Sequence, residues 1–322
     1  MQRFFEIIPG ALAWLTLILV VVLSRSIPTA MAVFIILFDI YWLLKTIYLS
    51  FHLRSTFSGM KENMKVNWLE KLQRSRLNFR DVYHLVILPM YKEPYEVVKE
   101  SLNSLTRANY PKDKFILVLA TEERAGEEAV TVAQRIEREF AGKFFKFLIT
   151  SHPDGLPGEL PGKGSNETWA ATKAKKEIID PLRIPYEKIM VSVFDVDTQV
   201  FPEYFGRLTY VFLTVEKPLR AIYQPIPLFT NNIYKAPAIA RVVSFSATFW
   251  QMMQQSRPER LTSFSSQSIP FKVVVDIGFW QKDIVSEDSR IFWQCYLHYH
   301  GDFRAEPLLY PVSMDANVAP GF

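Results

Sequence analysis

Asp195 and Asp197 directly follow an apolar run of the chain, residues 189–194. A buried strand that ends in paired carboxylates presents hard oxygen ligands at the carboxyl edge of a sheet, where open α/β folds bind their ligands. Oxygen ligands of this kind suit Mg²⁺ or Mn²⁺, which in turn can hold the phosphates of a nucleotide. Acidic pairs also end strands and cap helices, so this pair alone does not identify a metal site.

Lys163 stands between Gly162 and Gly164, at the end of a polar loop rich in glycine and proline. A lysine flanked by glycines can approach a nucleotide closely and add a positive charge, and the alternative is a plain turn. The P-loop pattern is excluded, because it requires Gly where this chain has Pro157 and Ser or Thr where it has Gly164.

Glu287 and Asp288 form a second acidic pair, at the predicted start of a helix. A hydroxyl that attacks as a nucleophile needs a group to accept its proton, and a carboxylate in a partly enclosed site can do so. Acids at this position also cap helices. Since Glu287 can cap while Asp288 faces the site, Asp288 is the candidate general base.

From residue 81 onward, short apolar runs alternate with amphipathic stretches. Strands are predicted over residues 82–88, 115–120, 144–150 and 189–194, and helices over residues 95–107, 127–140 and 167–179. This order predicts an α/β fold with a mainly parallel, doubly wound mixed sheet and helices on both faces. Its carboxyl edge would gather the candidate residues.

Two later elements are also predicted, a strand over residues 220–226 and a nearly uncharged helix over residues 238–255. The helix is expected to be buried in the core for most of its length. The alternative is a surface that leans on a membrane.

The N-terminal region contains two apolar runs, residues 7–23 and 27–49, each long enough to cross a bilayer or nearly so. A signal peptide is disfavoured because no small-x-small cleavage site precedes the second run. Lysine and arginine are abundant after residue 49, whereas the connection between the runs carries only Arg25. This bias places the following domain in the cytosol.

The predicted organisation has three parts. Residues 1–55 form a transmembrane helical hairpin, residues 56–80 an amphipathic juxtamembrane linker on the inner leaflet, and residues 81–322 a cytosolic domain. The chain is therefore predicted to be a multi-pass protein of the cell (plasma or inner) membrane.

Composition excludes several classes of function. The formal net charge of +4 over 322 residues is too small and too dispersed to indicate a nucleic-acid partner. The single cysteine, Cys295, excludes a disulfide framework and a cysteine-based metal cluster.

Five sequence elements follow one another, each at the end of a predicted strand or in the loop beyond it. They are Pro89-x-Tyr91-x-Glu93, the Glu122-Glu123 turn, the segment 162–166, Asp195-x-Asp197 and Ser286-Glu287-Asp288. In this order they resemble the membrane-bound members of glycosyltransferase family 2, which include cellulose and hyaluronan synthases. The resemblance covers residues 82 to about 312 and the two apolar runs, and it implies a GT-A fold.

The resemblance implies a nucleotide-diphosphate sugar donor, expected to be a UDP-sugar, and a sugar or polysaccharide acceptor. It implies that Asp195 and Asp197 hold Mg²⁺ or Mn²⁺ and that Asp288 is the base of an inverting transfer. The other residues that it implies in substrate binding are Pro89, Tyr91, Glu93, Glu122 (where the family usually has Asp), Lys163, Asn166, Asp195 and Glu287, with Ser265 and Gln267 towards the acceptor.

The Gln-x-x-Arg-Trp motif that such enzymes carry after the catalytic acid does not occur there in this sequence. The expectation is accordingly a chain truncated before that motif, able to bind a donor without polymerising it. Two alternatives stay open: transfer to a lipid phosphate carrier, which needs no base, and a non-catalytic membrane-tethered module that senses a nucleotide.

Overall fold

The computed structural model describes residues 2–318 and divides into two compact units, one up to His52 and one from Leu53 onward. The first unit consists of helix α1 (Gln2–Ser26) and the larger part of helix α2 (Pro28–Met64). Both helices are long and apolar enough to cross a membrane. The predicted apolar helices are therefore present.

The junction of α1 and α2 is a single residue. Only Ile27 separates the helices, and its N–H donates to the Leu23 carbonyl at 2.8 Å while its own carbonyl accepts from Met31 at 3.2 Å. Pro28 occupies the first turn of α2, where the missing N–H costs no helical bond. Helical hydrogen bonding thus continues from α1 across Ile27 into α2.

The second unit is built on one eight-stranded sheet, counted within residues 2–318, with the order β3-β2-β1-β4-β7-β6-β8-β5. The strands are β1 (Tyr83–Pro89), β2 (Phe115–Glu122), β3 (Lys146–His152), β4 (Ile189–Val193), β5 (Gln199–Val200), β6 (Ala221–Phe229), β7 (Gln267–Pro270) and β8 (Arg304–Met314). Four of the pairings are parallel (β1–β2, β1–β4, β2–β3 and β6–β8), and three are antiparallel. The predicted mainly parallel mixed sheet is confirmed.

Eight helices of this unit connect or flank the strands. They are α3 (Trp68–Arg74), α4 (Tyr95–Arg107), α5 (Glu127–Phe140), α6 (Lys163–Ala174), α7 (Tyr204–Thr214), α8 (Ala238–Gln255), α9 (Phe271–Asp276) and α10 (Glu287–His298). A π-helical turn, Lys175–Ile179, continues α6, and short 3₁₀ turns occur at Phe79–Asp81, Lys112–Lys114, Glu123–Ala125, Ala141–Lys143, Tyr186–Lys188 and Pro218–Arg220.

The two faces of the sheet are each covered by a hydrophobic core. Successive side chains of a strand point to opposite faces, so Val86 and Leu88 enter one core while Leu85 and Ile87 enter the other. Helices α4, α5 and α7 contribute to the first core, and α6, α9 and α10 to the second. This double cover explains the unbroken apolar runs of the central strands, and it confirms the predicted helices on both faces.

The segment predicted to lie on a membrane surface within residues 56–80 instead packs on the folded unit. Trp68 and Leu72 of α3 are buried in the first core. The Glu203 carboxylate, just before α7, accepts hydrogen bonds from the N–H groups of Trp68 at 2.7 Å and Leu69 at 3.2 Å. These orphan donors at a helix start are satisfied from another element, so the amphipathic pattern here reflects packing between helices.

Helix α8 begins and ends where the sequence predicts, but it faces the opposite way to a core helix. Its buried residues are mostly polar, at helical spacing: Ser244, Thr248, Gln251 and Gln255, with Met252. Thr248 donates to the Pro227 carbonyl at 2.9 Å, which ties this polar side to β6. Its apolar side chains are exposed instead, and they form what we call the outer face of α8: Ile239, Val242, Val243, Phe245, Phe249 and Trp250. The expected core burial is wrong for most of the helix.

Candidate active site

A cavity of about 590 Å³ opens at the carboxyl ends of β1, β2 and β4. These three strands are parallel neighbours, so their carboxyl ends meet at one edge of the sheet, as ligand sites of open α/β folds do. Seven of the residues singled out in the sequence line the cavity: Pro89, Tyr91, Glu93, Glu122, Lys163, Asp195 and Asp197. The structure also brings Arg124, Asp315 and Asn317 there.

Lys163 lies between two carboxylates of the site, those of Asp195 and Asp288. Its Nζ lies 2.7 Å from Asp195 Oδ1 and 2.9 Å from Asp288 Oδ2. Glu167 and Glu287 are 3.6 and 3.7 Å from the same nitrogen. Burial by itself lowers the pKa of Lys163, but the neighbouring carboxylates outweigh it and raise that pKa well above its usual value. The carboxylates thus stabilise the protonated form of Lys163.

Gly164 allows this close approach. A Cβ at this position would lie 2.9 Å from the Gln281 carbonyl and 3.0 Å from the Glu287 Cβ. Any other residue would push the start of α6 away from the start of α10. The glycine next to Lys163 thus brings the lysine within reach of Asp288.

Asp195 is held in its ionised form. Burial raises its pKa, but the charge of Lys163 and the hydrogen bonds from Lys163 and Ser265 outweigh burial and lower it. Ser265 Oγ donates to the Asp195 Oδ2 carboxylate oxygen. Ser265, which was predicted to lie towards the sugar acceptor, therefore contacts a candidate metal ligand directly.

Asp197 lies in a different environment. Burial, followed by the charges of Asp195 and Asp315, raises its pKa to about 7. Oδ2 accepts the Asp315 N–H at 3.2 Å, whereas buried Oδ1 has no hydrogen-bond partner among residues 2–318. Asp195, Asp197 and Asp315 all line the cavity, and carboxylate oxygens are ligands that suit a hard divalent cation.

Asp315 and Asn231 are site residues that the sequence reasoning missed. Asp315 directly follows β8, and Asn231 follows β6, its parallel neighbour. The Asn231 side chain donates to the Asp197 carbonyl at 2.8 Å and lowers the pKa of Asp315, which burial raises more strongly. The only sequence signal is that each residue follows an apolar run, which identifies no partner.

The second acidic group surrounds Asp288. Ligand oxygens of Asp288, Glu287 and Glu167 lie within 4.8 Å of one another. Burial is the main cause that raises the pKa of each. Glu167 is fully buried, and neither oxygen has a hydrogen-bond partner within the described chain. For Asp288, burial together with the charge of Asp195 outweighs Lys163, so the raised pKa makes this carboxylate more basic.

Capping at the start of α10, whose first residues are Glu287 and Asp288, finds no support in a side-chain bond at Ser286. In the described part of the chain, that residue makes no cap hydrogen bond. Ser263 Oγ donates to the Asp288 carbonyl at 2.5 Å and ties the start of α10 to the segment before β7. Asp288 is thus positioned from two sides, by Lys163 and by Ser263.

An aromatic ring and a guanidinium also line the cavity. The Arg124 guanidinium lies over the Tyr91 ring, 4.5 Å from its centre, and pairs with Glu122 at 2.5 Å. The Tyr91 N–H donates to Glu93 Oε2 at 2.7 Å. Glu122, expected to reach a nucleotide base, is paired with Arg124 here, so the arginine and the ring present the flat surface.

Four predicted substrate-binding residues, Asn166, Ser265, Gln267 and Glu287, and the candidate base Asp288 do not line the cavity. Asn166 is 1% exposed, and its side chain donates to the Ala120 carbonyl at 2.8 Å. Gln267 is equally buried and lies opposite Val193 in the β4–β7 pairing. The structure corrects the predicted contact: Asn166 fastens α6 to the end of β2, and Gln267 lies inside the sheet.

No protein-family model and no curated protein matches the sequence. Among solved structures, the chain is similar to a mannosyltransferase from Pyrobaculum calidifontis in complex with GDP-Man and Mn²⁺, with 13% identity and a TM-score of 0.49. That match covers 85% of this chain and 70% of the other.

The chain is also similar to S. aureus TarS 1–349 in complex with UDP-GlcNAc, with 13% identity and a TM-score of 0.43 over 74% of this chain and 60% of that one. The match to the longer S. aureus TarS structure has 14% identity and a TM-score of 0.39, over 74% and 36% of the two chains. These structural neighbours are glycosyltransferases.

Proposed function

We propose that this chain is an inverting glycosyltransferase that moves a sugar from a nucleotide-diphosphate sugar, expected to be a UDP-sugar, to an acceptor hydroxyl. The observation that carries the proposal is Lys163, which contacts both Asp195 of the candidate metal group and Asp288, the candidate base. A metal-assisted donor site and a base held by one cation are the parts that glycosyl transfer from a nucleotide requires. The order of motifs that resembles glycosyltransferase family 2 supports the same reaction.

The donor half of the site consists of the flat surface and the three aspartates. The Tyr91 ring and the Arg124 guanidinium would stack against the base, with Glu93 beside the ribose. Asp195, Asp197 and Asp315 would hold Mg²⁺ or Mn²⁺. Such an ion, when bound, supplies positive charge for the diphosphate leaving group.

The acceptor half is assigned to Asp288. The acceptor oxygen forms a bond to the anomeric carbon while the bond from that carbon to the phosphate oxygen breaks, and the electron pair leaves with the nucleoside diphosphate. Asp288 accepts the hydroxyl proton, and its raised pKa favours this. Lys163 keeps the carboxylate in place, and a single displacement inverts the anomeric carbon.

The apolar helices α1 and α2 support a membrane anchor. The lysines and arginines after residue 49 support a cytosolic position for the folded unit. We place the protein in the plasma or inner membrane, where the cytosolic pool of nucleotide sugars reaches the cavity.

A panel of nucleotide sugars tests the donor site. The full chain, in detergent or lipid, is heated with each nucleotide sugar in the presence and absence of Mn²⁺. We expect one donor to raise the melting temperature only with Mn²⁺, and Asp195→Asn to lose that shift. Asp113→Asn, a matched change in the turn before β2, should keep it. Absence of a metal-dependent shift for every donor would overturn the assignment.

A further inference from the structure

The outer face of α8 is an exposed apolar surface. The helix buries polar side chains and exposes apolar ones, with Ile239 79%, Val242 66% and Trp250 51% exposed. An exposed apolar surface of this kind marks an interaction site. Arg241 is the only charged residue among residues 238–255, which form α8. A helix with an apolar outer face and no acid fits the surface of a bilayer.

The position of α8 in the folded unit agrees with this environment. Met252 of α8 packs with Met60 of α2 and Ile226 of β6. Helix α2 is the same helix whose earlier residues are long and apolar enough to span a membrane. Chain connectivity therefore brings α8 next to the segment through which the apolar helix joins the folded unit.

A groove of about 450 Å³ lies beside the first half of α8, and we call it the α8 groove. Its lining includes Ile239, Ala240, Val243 and Ala247 of the helix, together with Phe229 and Phe264. In the described chain, no charged residue lines it, and Ser244 and Asn317 are its only polar side chains. A sugar would find few hydrogen-bond partners there, whereas a hydrocarbon chain would be accommodated.

The α8 groove adjoins the candidate active site. Asn317 lines both cavities. Phe264 of the groove directly precedes Ser265, which donates to the Asp195 carboxylate. A molecule whose apolar part lies in the groove can therefore place its polar end beside the metal-ligand candidates.

We propose that the α8 groove binds the hydrocarbon chain of a lipid-linked acceptor, supplied by the membrane surface on which α8 lies. The inference rests on the proposed function and specifies its acceptor class. The lipid head group supplies the oxygen that attacks the anomeric carbon, and the nucleoside diphosphate leaves with the electron pair. With a hydroxyl head group, Asp288 takes the proton; with an ionised phosphate head group, no proton has to be removed.

Photolabelling tests the groove without requiring turnover. The full chain in detergent is irradiated with hexadecyl phosphate or hexadecyl glucoside carrying a diazirine in the alkyl chain, and the labelled peptides are mapped by mass spectrometry. We expect label on α8 residues 239–247 and around Phe264. Because each buried methylene contributes about fourfold in affinity, hexadecyl competitors should suppress labelling at least about tenfold better than butyl competitors.

A pair of variants separates the groove from the general apolarity of α8. Ala247→Trp fills the groove, whereas Ser246→Trp adds the same bulk at an exposed position of the same helix. We expect Ala247→Trp to lower labelling at least about fivefold and Ser246→Trp to leave it within about twofold, both with wild-type donor stabilisation. Should Ala247→Trp fail to fold, the peptide map of the wild-type chain decides alone.

Several outcomes would overturn the inference. Label confined to α1 and α2, equal competition by butyl and hexadecyl compounds, or labelling unaffected by a folded Ala247→Trp would each do so. Protection of the groove from labelling, as its occupation by the chain's own C-terminal residues would cause, would also overturn it. Donor stabilisation with no label in the groove removes only the lipid acceptor, while label in the groove with no donor stabilisation removes only the proposed transferase.

Discussion

Replacing Lys163 with methionine should destabilise the folded unit strongly, because this lysine compensates a group of acids. Its Nζ lies within 4 Å of four carboxylates, those of Asp195, Asp288, Glu167 and Glu287. Methionine keeps the length and apolar stem of the side chain and removes only the charge and its hydrogen bonds. The variant therefore measures the cation itself.

The expected size follows from the burial of the partners. Removing one partner of a buried ion pair costs about 3–5 kcal/mol, whereas an exposed pair contributes about 0–1 kcal/mol. Glu167 and Glu287 are 0% and 5% exposed, but Asp195 is 34% exposed and partly solvated. We expect a loss of about 3 kcal/mol at pH 8, at the lower end of the range for buried pairs.

The loss should depend on pH in a defined direction. The pKa values of Glu167, Glu287 and Asp288 are raised in the folded state even with Lys163 present. An acid with a raised folded pKa binds more protons folded than unfolded, so its ionisation removes stability as the pH rises above the ordinary carboxyl value. Without Lys163 the penalty is small near pH 4 and grows towards pH 8.

Urea unfolding of the full chain in detergent, followed by tryptophan fluorescence at pH 5 and pH 8, measures both effects. Adding Glu167→Gln to Lys163→Met should restore part of the loss, since it removes a buried charge that lacks a hydrogen bond. The control is Lys188→Met, whose exposed pair with Asp81 at 2.7 Å should contribute little to stability because it is screened by water. Equal losses for the two lysines, or a loss independent of pH, would refute this reasoning.

Three further predictions concern single residues of the site. Asp288→Asn should lower the rate of transfer to a hydroxyl about 10²- to 10⁴-fold, measured as release of nucleoside diphosphate. The donor should still raise the melting temperature of this variant. A transfer rate within twofold of wild type would rule out Asp288 as the base. Because the pKa of Asp197 is raised to about 7, Mn²⁺ must displace its proton below that pH. Calorimetry should therefore show affinity rising about fivefold between pH 6 and pH 7 and at most about twofold more above pH 7; a flat profile contradicts this. Gly164→Ala should cost about 1–3 kcal/mol by overpacking against Gln281 in urea unfolding, and an unchanged midpoint would show that the two helix starts can separate freely.

Local sequence patterns predicted the elements of the fold well. Helices α4, α5 and α8 begin and end at the predicted residues, because each has a helical apolar period between clear boundaries. The carboxyl edge followed from parallel order alone, and the structure brings Tyr91, Lys163 and Asp195 to one cavity.

Tertiary contacts account for what the sequence did not predict. Asp315 reaches Asp197 through the antiparallel β5–β8 pairing, in which Gln199 lies opposite Ser313, and no local period specifies which strands become neighbours. Arg124 lies in a turn, where sequence gives little indication of side-chain direction. Periodicity shows which residues of a helix share a face but not what covers that face, so the amphipathic pattern of α3 and the polarity of α8 were both misread.

The coupling between Mn²⁺ and a nucleoside diphosphate tests the central claim most directly. Dissociation constants of UDP are measured by calorimetry with and without Mn²⁺, for the wild-type chain and for Asp197→Asn. If the aspartates hold an ion that contacts the diphosphate, Mn²⁺ tightens UDP binding by about tenfold or more in the wild type and by less than about twofold in the variant. An equal effect of Mn²⁺ on both chains, or none on the wild type, would contradict the proposed donor site.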